Sequence, residues 1–230
     1  MTQPLMLALD TCTDLASIAL YDGQRVLSEV TWHSARRHTV ELMPQVIAML
    51  TQAGITANDV HAVAVAIGPG SFTGVRVGLS LAKGIASANG LPLFGIATLD
   101  AIAHAHHAQP QPVTALVQAG RGRLCWAHYV QDTRAGAWRT VSPFAISSIE
   151  ALAQTVPAPT LFAGDLLEAT RTTLRAHLGE QAFFASPALS VRRASLLAEL
   201  AWPRFQANVS DEIATLAPIY LHELPAGLLP

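Results

Sequence analysis

Ala66-Ile-Gly-Pro-Gly-Ser-Phe-Thr-Gly-Val-Arg-Val-Gly78 is the stretch on which the reading of this chain turns. An apolar strand over Val63 to Ile67 runs into a glycine-rich turn and then directly into a helix. Gly68, Gly70 and Gly74 let the main chain take positive φ and approach another surface closely, and Ser71 or Thr73 can cap the helix. The free N–H groups of such a helix start suit an anion, another backbone or a partner helix. The stretch is not a Walker A loop, because no Gly-Lys-Ser/Thr follows. As a dinucleotide fingerprint it is poor: Thr73 stands at the third glycine, and no acidic residue closes the next strand, Leu91 to Ile96.

Working outward, Leu5 to Leu9, Leu15 to Tyr21 and Arg25 to Thr31 read as strands, the last two joined by an Asp22-Gly23 hairpin turn. A helix from about Thr39 to Ala53 ends at Gly54; Pro44 within it either kinks it or marks a late start. After the strand at Val63, the next helix runs from about Thr73 to Asn89 and ends at Gly90. A short strand passes through Phe94, and Thr98 can cap a third helix reaching His107. Gln109-Pro-Gln-Pro112 interrupts the periodicity and is the expected boundary between a lobe at 1–108 and a smaller lobe at 109–230. The second half repeats the theme, with strands over Val113 to Gln118, Leu124 to Val130, Trp138 to Val141 and Thr160 to Ala163. Helices follow near Leu166 to Leu178 and Arg192 to Gln206. Strands first and then helices, with a late parallel addition, predict an α/β class of mixed sheets flanked by helices.

The 230 residues suffice for a substantial core, whether in one large domain or two lobes. Hydrophobic residues make up 51% and charged ones 13%, yet no apolar run reaches the length of a membrane span, so the apolar excess belongs in a core or against a partner. The start carries no basic leader and Asp10 ends its first apolar run, which favours the cytoplasm. Cys12 and Cys125 lack metal-ligand spacing and read as small core residues. Lys83 is the only lysine among 14 basic residues, and the arginines are scattered over a chain of net charge −2. Strong direct RNA binding is not expected of such a surface.

The words Gly68-Pro-Gly-Ser-Phe-Thr-Gly-Val-Arg76 resemble those of the TsaB (YeaZ) family, bacterial partners in threonylcarbamoyladenosine modification of tRNA. The likeness extends to Leu7-Ala-Leu-Asp-Thr-Cys-Thr13, His38-Thr-Val-Glu-Leu-Met-Pro44, Gly95-Ile-Ala-Thr-Leu99 and Pro218-Ile-Tyr-Leu221. It is thin after Gly120, where Gln118 and Arg123 replace the family's aspartate and glutamate. The resemblance implies a two-lobed actin/hexokinase/Hsp70-like ATPase fold with a shortened second lobe. It also implies a non-catalytic assembly subunit that pairs with the catalytic transferase TsaD and the ATPase TsaE to modify adenosine 37 of tRNAs reading A-starting codons. Such a subunit is a homodimer when alone and meets tRNA only indirectly. No resident cofactor is implied, any weak ATP or ADP binding belonging to the complex. A free-standing actin-fold small-molecule kinase or ATPase is the competing reading.

For that competing reading the candidate phosphate residues are Asp10, Thr11, Thr13, Gly68 and Gly70; the alternative is that Asp10 and Thr13 satisfy their own turn. The resemblance places Thr98 and Ile102 at the two histidine ligands of the related catalytic subunit. Isoleucine has no donor atom, so no metal is expected there. His104-Ala-His-His107 has no third ligand in view, and Ser71, Ser80 and Ser87 have no triad partners, which leaves the peptidase label attached to some relatives without support. The first helix of the first lobe carries two apolar stripes, and the second is apolar around most of its circumference through Val75, Val77, Leu79, Leu81 and Ile85, which burial within one chain would also explain. On the first, Val40, Met43, Ile47 and Leu50 form one and Leu42, Val46, Met49 and Ala53 the other. The second bears Leu81 and Ile85 with a small-residue line of Gly74, Gly78 and Ala82. One stripe of each faces the sheet. With the resemblance, the other is expected to meet a second protein, at Val40, Met43, Ile47, Leu50, Gly74, Gly78, Leu81, Ala82 and Ile85.

Overall fold

The computed structural model describes residues 3–35, 37–132 and 137–221, with no account of the side chains of residues 132, 137 and 138. Among the described residues two units emerge, one comprising 3–101 with 192–219 and the other 102–191 with 220–221.

The first unit is built on a sheet of β1 (Met6–Asp10), β2 (Leu15–Tyr21), β3 (Val26–His33), β4 (Ala62–Ala66) and β5 (Leu93–Ile96), in the order β3-β2-β1-β4-β5. The hairpin strands pair antiparallel, whereas β1–β4 and β4–β5 are parallel. Helices α1 (His38–Gln52) and α2 (Phe72–Asn89) lie against one face and α6 (Ala194–Gln206) against the other. The alternation of side chains along a strand divides this core in two. Leu7, Leu9, Ile18, Leu20, Val63 and Val65 meet α1 and α2, while Met6, Ala8, Ala19, Ala62 and Ala64 meet α6. Alanines on the α6 side leave room for the large rings of Trp202 and Phe205, which pack edge to face on Tyr21 and Phe94. With both faces covered, the central strands read as unbroken apolar runs.

The second unit holds β6 (Val113–Gly120), β7 (Arg123–Asp132), β8 (Ala137–Thr140), β9 (Ala145–Ser148), β10 (Thr160–Gly164) and β11 (Ala182–Phe184), ordered β11-β10-β6-β7-β8 with β9 also on β7. Here too a hairpin pairs antiparallel and later strands add in parallel. Helices α4 (Ile149–Thr155) and α5 (Glu168–Leu178) cover a core of Leu116, Leu124, Leu152, Phe162 and Leu174. The expected echo between the two halves is therefore present in the pairing order of the two sheets.

Several boundaries differ from expectation. The division falls within α3 (Thr98–His104), not at Gln109 to Pro112, which is a loop inside the second unit. Residues 192–219 return to the first unit because α6 presents Leu197, Ala198 and Ala201 to the alanine face of its sheet. Pro44 lies well inside α1, so the helix does not start late. Ser71 caps α2, its hydroxyl accepting from the Gly74 amide at 3.3 Å, and Gly90 closes the helix in the left-handed conformation. Thr98 does not cap α3; it is the first helical residue and is buried.

Candidate functional site

Two places in the first unit gather the residues singled out from sequence: the turn after β1, and the face made by α1 and α2.

At the turn, the carboxylate of Asp10 and the hydroxyls of Thr11 and Thr13 each have a partner within the chain. Asp10 Oδ1 accepts from the Cys12 amide at 2.8 Å, an Asx turn. Its Oδ2 accepts from Arg192 Nε at 3.1 Å, and the acid and the guanidinium are 2% and 4% exposed at their side chains. Arg192 also donates to the Leu15 carbonyl at 3.1 Å and to Thr13 Oγ1. Thr11 donates to the Gly74 carbonyl at 2.7 Å, and the Cys12 carbonyl accepts from the Ser71 amide at 2.6 Å. The glycine-rich loop is thus drawn onto the first turn. A Cβ on Gly70 would come within 2.3 Å of the Cys12 carbonyl oxygen, and one on Gly74 within 2.1 Å of that of Thr11. Gly68, at φ +95, precedes a cis peptide bond to Pro69, and its carbonyl accepts from the Thr98 amide at 2.8 Å. Burial, followed by the neighbouring Asp10 charge, pushes the Cys12 thiol well above its ordinary range, so it stays protonated.

Arg192 was not among the residues singled out, nor were its companions. Ser17 Oγ accepts from the Ala194 amide at 3.0 Å and Glu29 Oε1 from that of Ser195 at 2.9 Å. Arg193 pairs with the same carboxylate, Nη2 to Oε2 at 2.6 Å. Strands β2 and β3 therefore cap α6 from outside, with an acid at the positive end of the helix dipole.

The α1–α2 face divides as the two stripes predict for α1 except at Leu50 and at Ala53, which lies past the helix end and is exposed. Leu42, Val46 and Met49 are buried on the sheet, while Val40, Met43 and Ile47 are 62%, 42% and 53% exposed. Leu50 departs from its stripe and turns into the core, since at the helix end it lies on the border of the buried sector. On α2, Leu81 and Ile85 are half-buried, leaning on the core, and Phe72 is 54% exposed beneath the guanidinium of Arg76, 3.6 Å from the ring centroid. The small-residue line runs the other way: Gly74, Gly78 and Ala82 are buried. A Cβ on Gly78 would stand 2.3 Å from Thr11 Oγ1, so the close approach that the glycines permit is made by the chain's own first turn and not by a second helix. Between α1 and α2 opens a groove of about 540 Å³ lined by His38, Leu42, Met43, Phe72, Arg76, Val77 and Leu81, among others. His38 is buried there with Nδ1 unpaired.

Thr98 and Ile102 are both buried on α3. His104 and His107 stack with centroids 5.4 Å apart, and among the described residues no group of three or more His, Cys, Asp or Glu could hold a metal. Gln118, which stands in place of an aspartate, donates through its amide N–H to Asp165 Oδ2 at 3.2 Å and through Nε2 to the Asp165 carbonyl at 3.0 Å. A carboxylate is therefore present beside this position, carried by the end of β10 instead of β6. Arg123 opens β7. Cys125 is buried, its thiol pushed up to about 11 by that burial. Among the described residues no helix is long and apolar enough to cross a membrane.

A family model described as TsaD: tRNA N6-adenosine threonylcarbamoyltransferase matches residues 25–226. The chain is 36% identical over 135 residues to the tRNA threonylcarbamoyladenosine biosynthesis protein TsaB of Escherichia coli, a match spanning 58% of each protein. To the protein of the same name from Bacillus subtilis it is 27% identical over 219 residues, 94% of this chain and 93% of that one. The solved structure of YeaZ from Pseudomonas aeruginosa superposes with a TM-score of 0.79 at 26% identity, over 95% of this chain and all of that one. A hexokinase of the ROK type from Thermus thermophilus superposes with a TM-score of 0.52 at 14% identity, over 88% of this chain and 99% of that one. That likeness concerns the fold alone, which is the actin/hexokinase-like α/β fold of mixed sheets flanked by helices.

Proposed function

Because the chain belongs to the TsaD family of tRNA N6-adenosine threonylcarbamoyltransferases and, within it, to the TsaB/YeaZ members, we propose that it is an assembly subunit of threonylcarbamoyladenosine synthesis, without catalysis of its own. In this reading it pairs with a TsaD-type transferase and works with the ATPase TsaE to modify adenosine 37 of tRNAs reading A-starting codons. It forms a homodimer when alone and meets tRNA only through the complex.

One observation carries the proposal. The exposed apolar side chains Val40, Met43 and Ile47 share one face of α1, and Met43 together with the exposed Phe72 at the start of α2 lines a groove that also holds Leu42, Val77 and Leu81. A contiguous patch of this kind marks a protein interface, and helix ridges from a second subunit suit a groove between two helices. The non-catalytic part draws support from Thr98 and Ile102, which offer no metal-ligand pair where the related transferase carries histidines. The free-standing kinase or ATPase reading draws none from the first turn, where Asp10 already has Arg192 as counter-ion.

Reconstitution tests it. The transferase, the ATPase, tRNA and the threonine-derived intermediate should yield modified adenosine only when this chain is added. Equal product without the chain would sink the proposal, and so would ATP turnover by the chain alone at rates typical of an enzyme.

A further inference from the structure

Folds of the actin and hexokinase type are associated with nucleotide phosphates held against a carboxylate in the first turn, so the fit of this turn to such a group can be judged from its own atoms. Three features bear on it. The Asp10 carboxylate is buried, one oxygen engaged by the Cys12 amide and the other by Arg192. The hydroxyls of Thr11 and Thr13 are engaged by Gly74 and by Leu15 with Arg192. The backbone of the glycine-rich segment lies on the first turn so closely that Gly70, against Cys12, and Gly74, against Thr11, have no room for even a Cβ on that side. The turn does not fit a metal–phosphate group.

We propose that Arg192 is a built-in counter-cation of Asp10, which closes the first turn to metal-nucleotides and converts it into the clasp that fastens the returning chain to the first sheet. The sequence distance matters: Arg192 is 182 residues from Asp10 and is the first residue of the stretch that rejoins the first unit. The next three residues continue the fastening, through Arg193 and Ser195 to Glu29 and through the Ala194 amide to Ser17. A buried carboxylate without its partner is strongly destabilising, whereas a pair replaced on both sides by neutral groups of similar size is tolerated. The contacts of Arg192 with Thr13 and the Leu15 carbonyl orient the guanidinium, so a diffusible cation would have to break them to take its place.

The test has two arms. In the first, Asp10→Asn, Arg192→Met and the double variant are compared by urea unfolding. Arg192→Met is expected to raise the unfolding equilibrium constant on the order of a hundredfold or more, and the double variant to recover most of that loss. Should the single variants fail to fold, folding of the double variant alone supports the clasp. A double variant as unstable as the sum of the singles, or failing to fold along with them, overturns it. In the second arm the wild-type chain is titrated calorimetrically with Mg·ATP and Mg·ADP. No saturable heat is expected up to about 1 mM. Saturable binding that Asp10→Asn abolishes would show that the turn is open to nucleotide and refute the proposal.

Discussion

The glycine line of α2 gives the sharpest test of which way that helix faces. If it packs on the first turn, Gly78→Ala puts a methyl 2.3 Å from Thr11 Oγ1, and Gly74→Ala puts one 2.1 Å from the Thr11 carbonyl oxygen. The two clashes differ in kind. At residue 78 the obstacle is a side-chain hydroxyl, which can rotate away and lose its 2.7 Å hydrogen bond to Gly74. An orphaned buried hydroxyl costs about 1–3 kcal/mol, and replacing a mid-helix glycine with alanine returns about 1 kcal/mol. The expected net loss is therefore about 1 kcal/mol. At residue 74 the obstacle is backbone, no rotamer relieves it, and the helix must move, which belongs at the upper end of the roughly 1–3 kcal/mol cost of overpacking. Combining Thr11→Ala with Gly78→Ala removes the obstructing atom, so this pair should be less destabilised than the sum of the singles, with a coupling of about 1 kcal/mol. Urea unfolding followed by tryptophan fluorescence measures all four variants. A wild-type midpoint for Gly74→Ala, together with lost transferase binding by Gly78→Ala, would refute this packing and return the glycine line to the partner interface.

On the opposite surface, Ile47→Asp and Met43→Glu should leave the unfolding midpoint nearly unchanged, because both side chains are about half exposed. Burying the remaining half of each is worth about 1 kcal/mol, and a carboxylate in its place adds desolvation cost. Binding to the transferase, measured by titration calorimetry, should fall at least tenfold for each variant; unchanged affinity places the interface elsewhere. Burial holds His106 and His128 below their ordinary value near 6.5. The unfolded chain then takes up more protons, so stability is full above about pH 6.5 and is lost as pH falls below it. The melting temperature should drop between pH 7.5 and 5.5, and drop less in His128→Gln; a rise on acidification would reverse the sign. Glu29→Ala uncaps α6 and removes the Arg193 pair, with an expected loss of about 1–2 kcal/mol in urea, whereas Val26→Ala on the exposed part of the same strand should cost little.

The parts of the fold legible in the sequence are those whose signal is local. The Asp22-Gly23 hairpin, the Gly90 stop and the Ser71 cap each depend on a few neighbouring residues, and the two stripes of α1 follow from helical periodicity. The domain division was not legible, because Pro110 and Pro112 break local periodicity whether they lie between units or inside one. Nor was the direction of the glycine line. Small residues at four-residue spacing announce a close approach without saying to what, and here the answer, Thr11, sits 63 residues upstream of Gly74 on another element.

The least legible feature governs the candidate phosphate residues. Asp10-Thr-Cys-Thr13 and Gly68 to Gly74 read equally well as a phosphate turn or as a self-satisfied turn, because the same hydroxyls, amides and carboxylate suit both uses. What separates them is whether a cation of the chain itself reaches Asp10, and the sequence near residue 10 carries no trace of one. The Arg192-Arg193 doublet could have supplied the clue: within the expected helix from Arg192 to Gln206, two consecutive cations precede an apolar segment at the wrong end for the helix dipole. Cations at a helix start require acids to answer them, and the structure supplies Asp10 to one and Glu29 to the other. An unfavourable local charge is thus a pointer to a distant buried partner, and in this chain it identifies both acids that hold the returning segment on the first sheet.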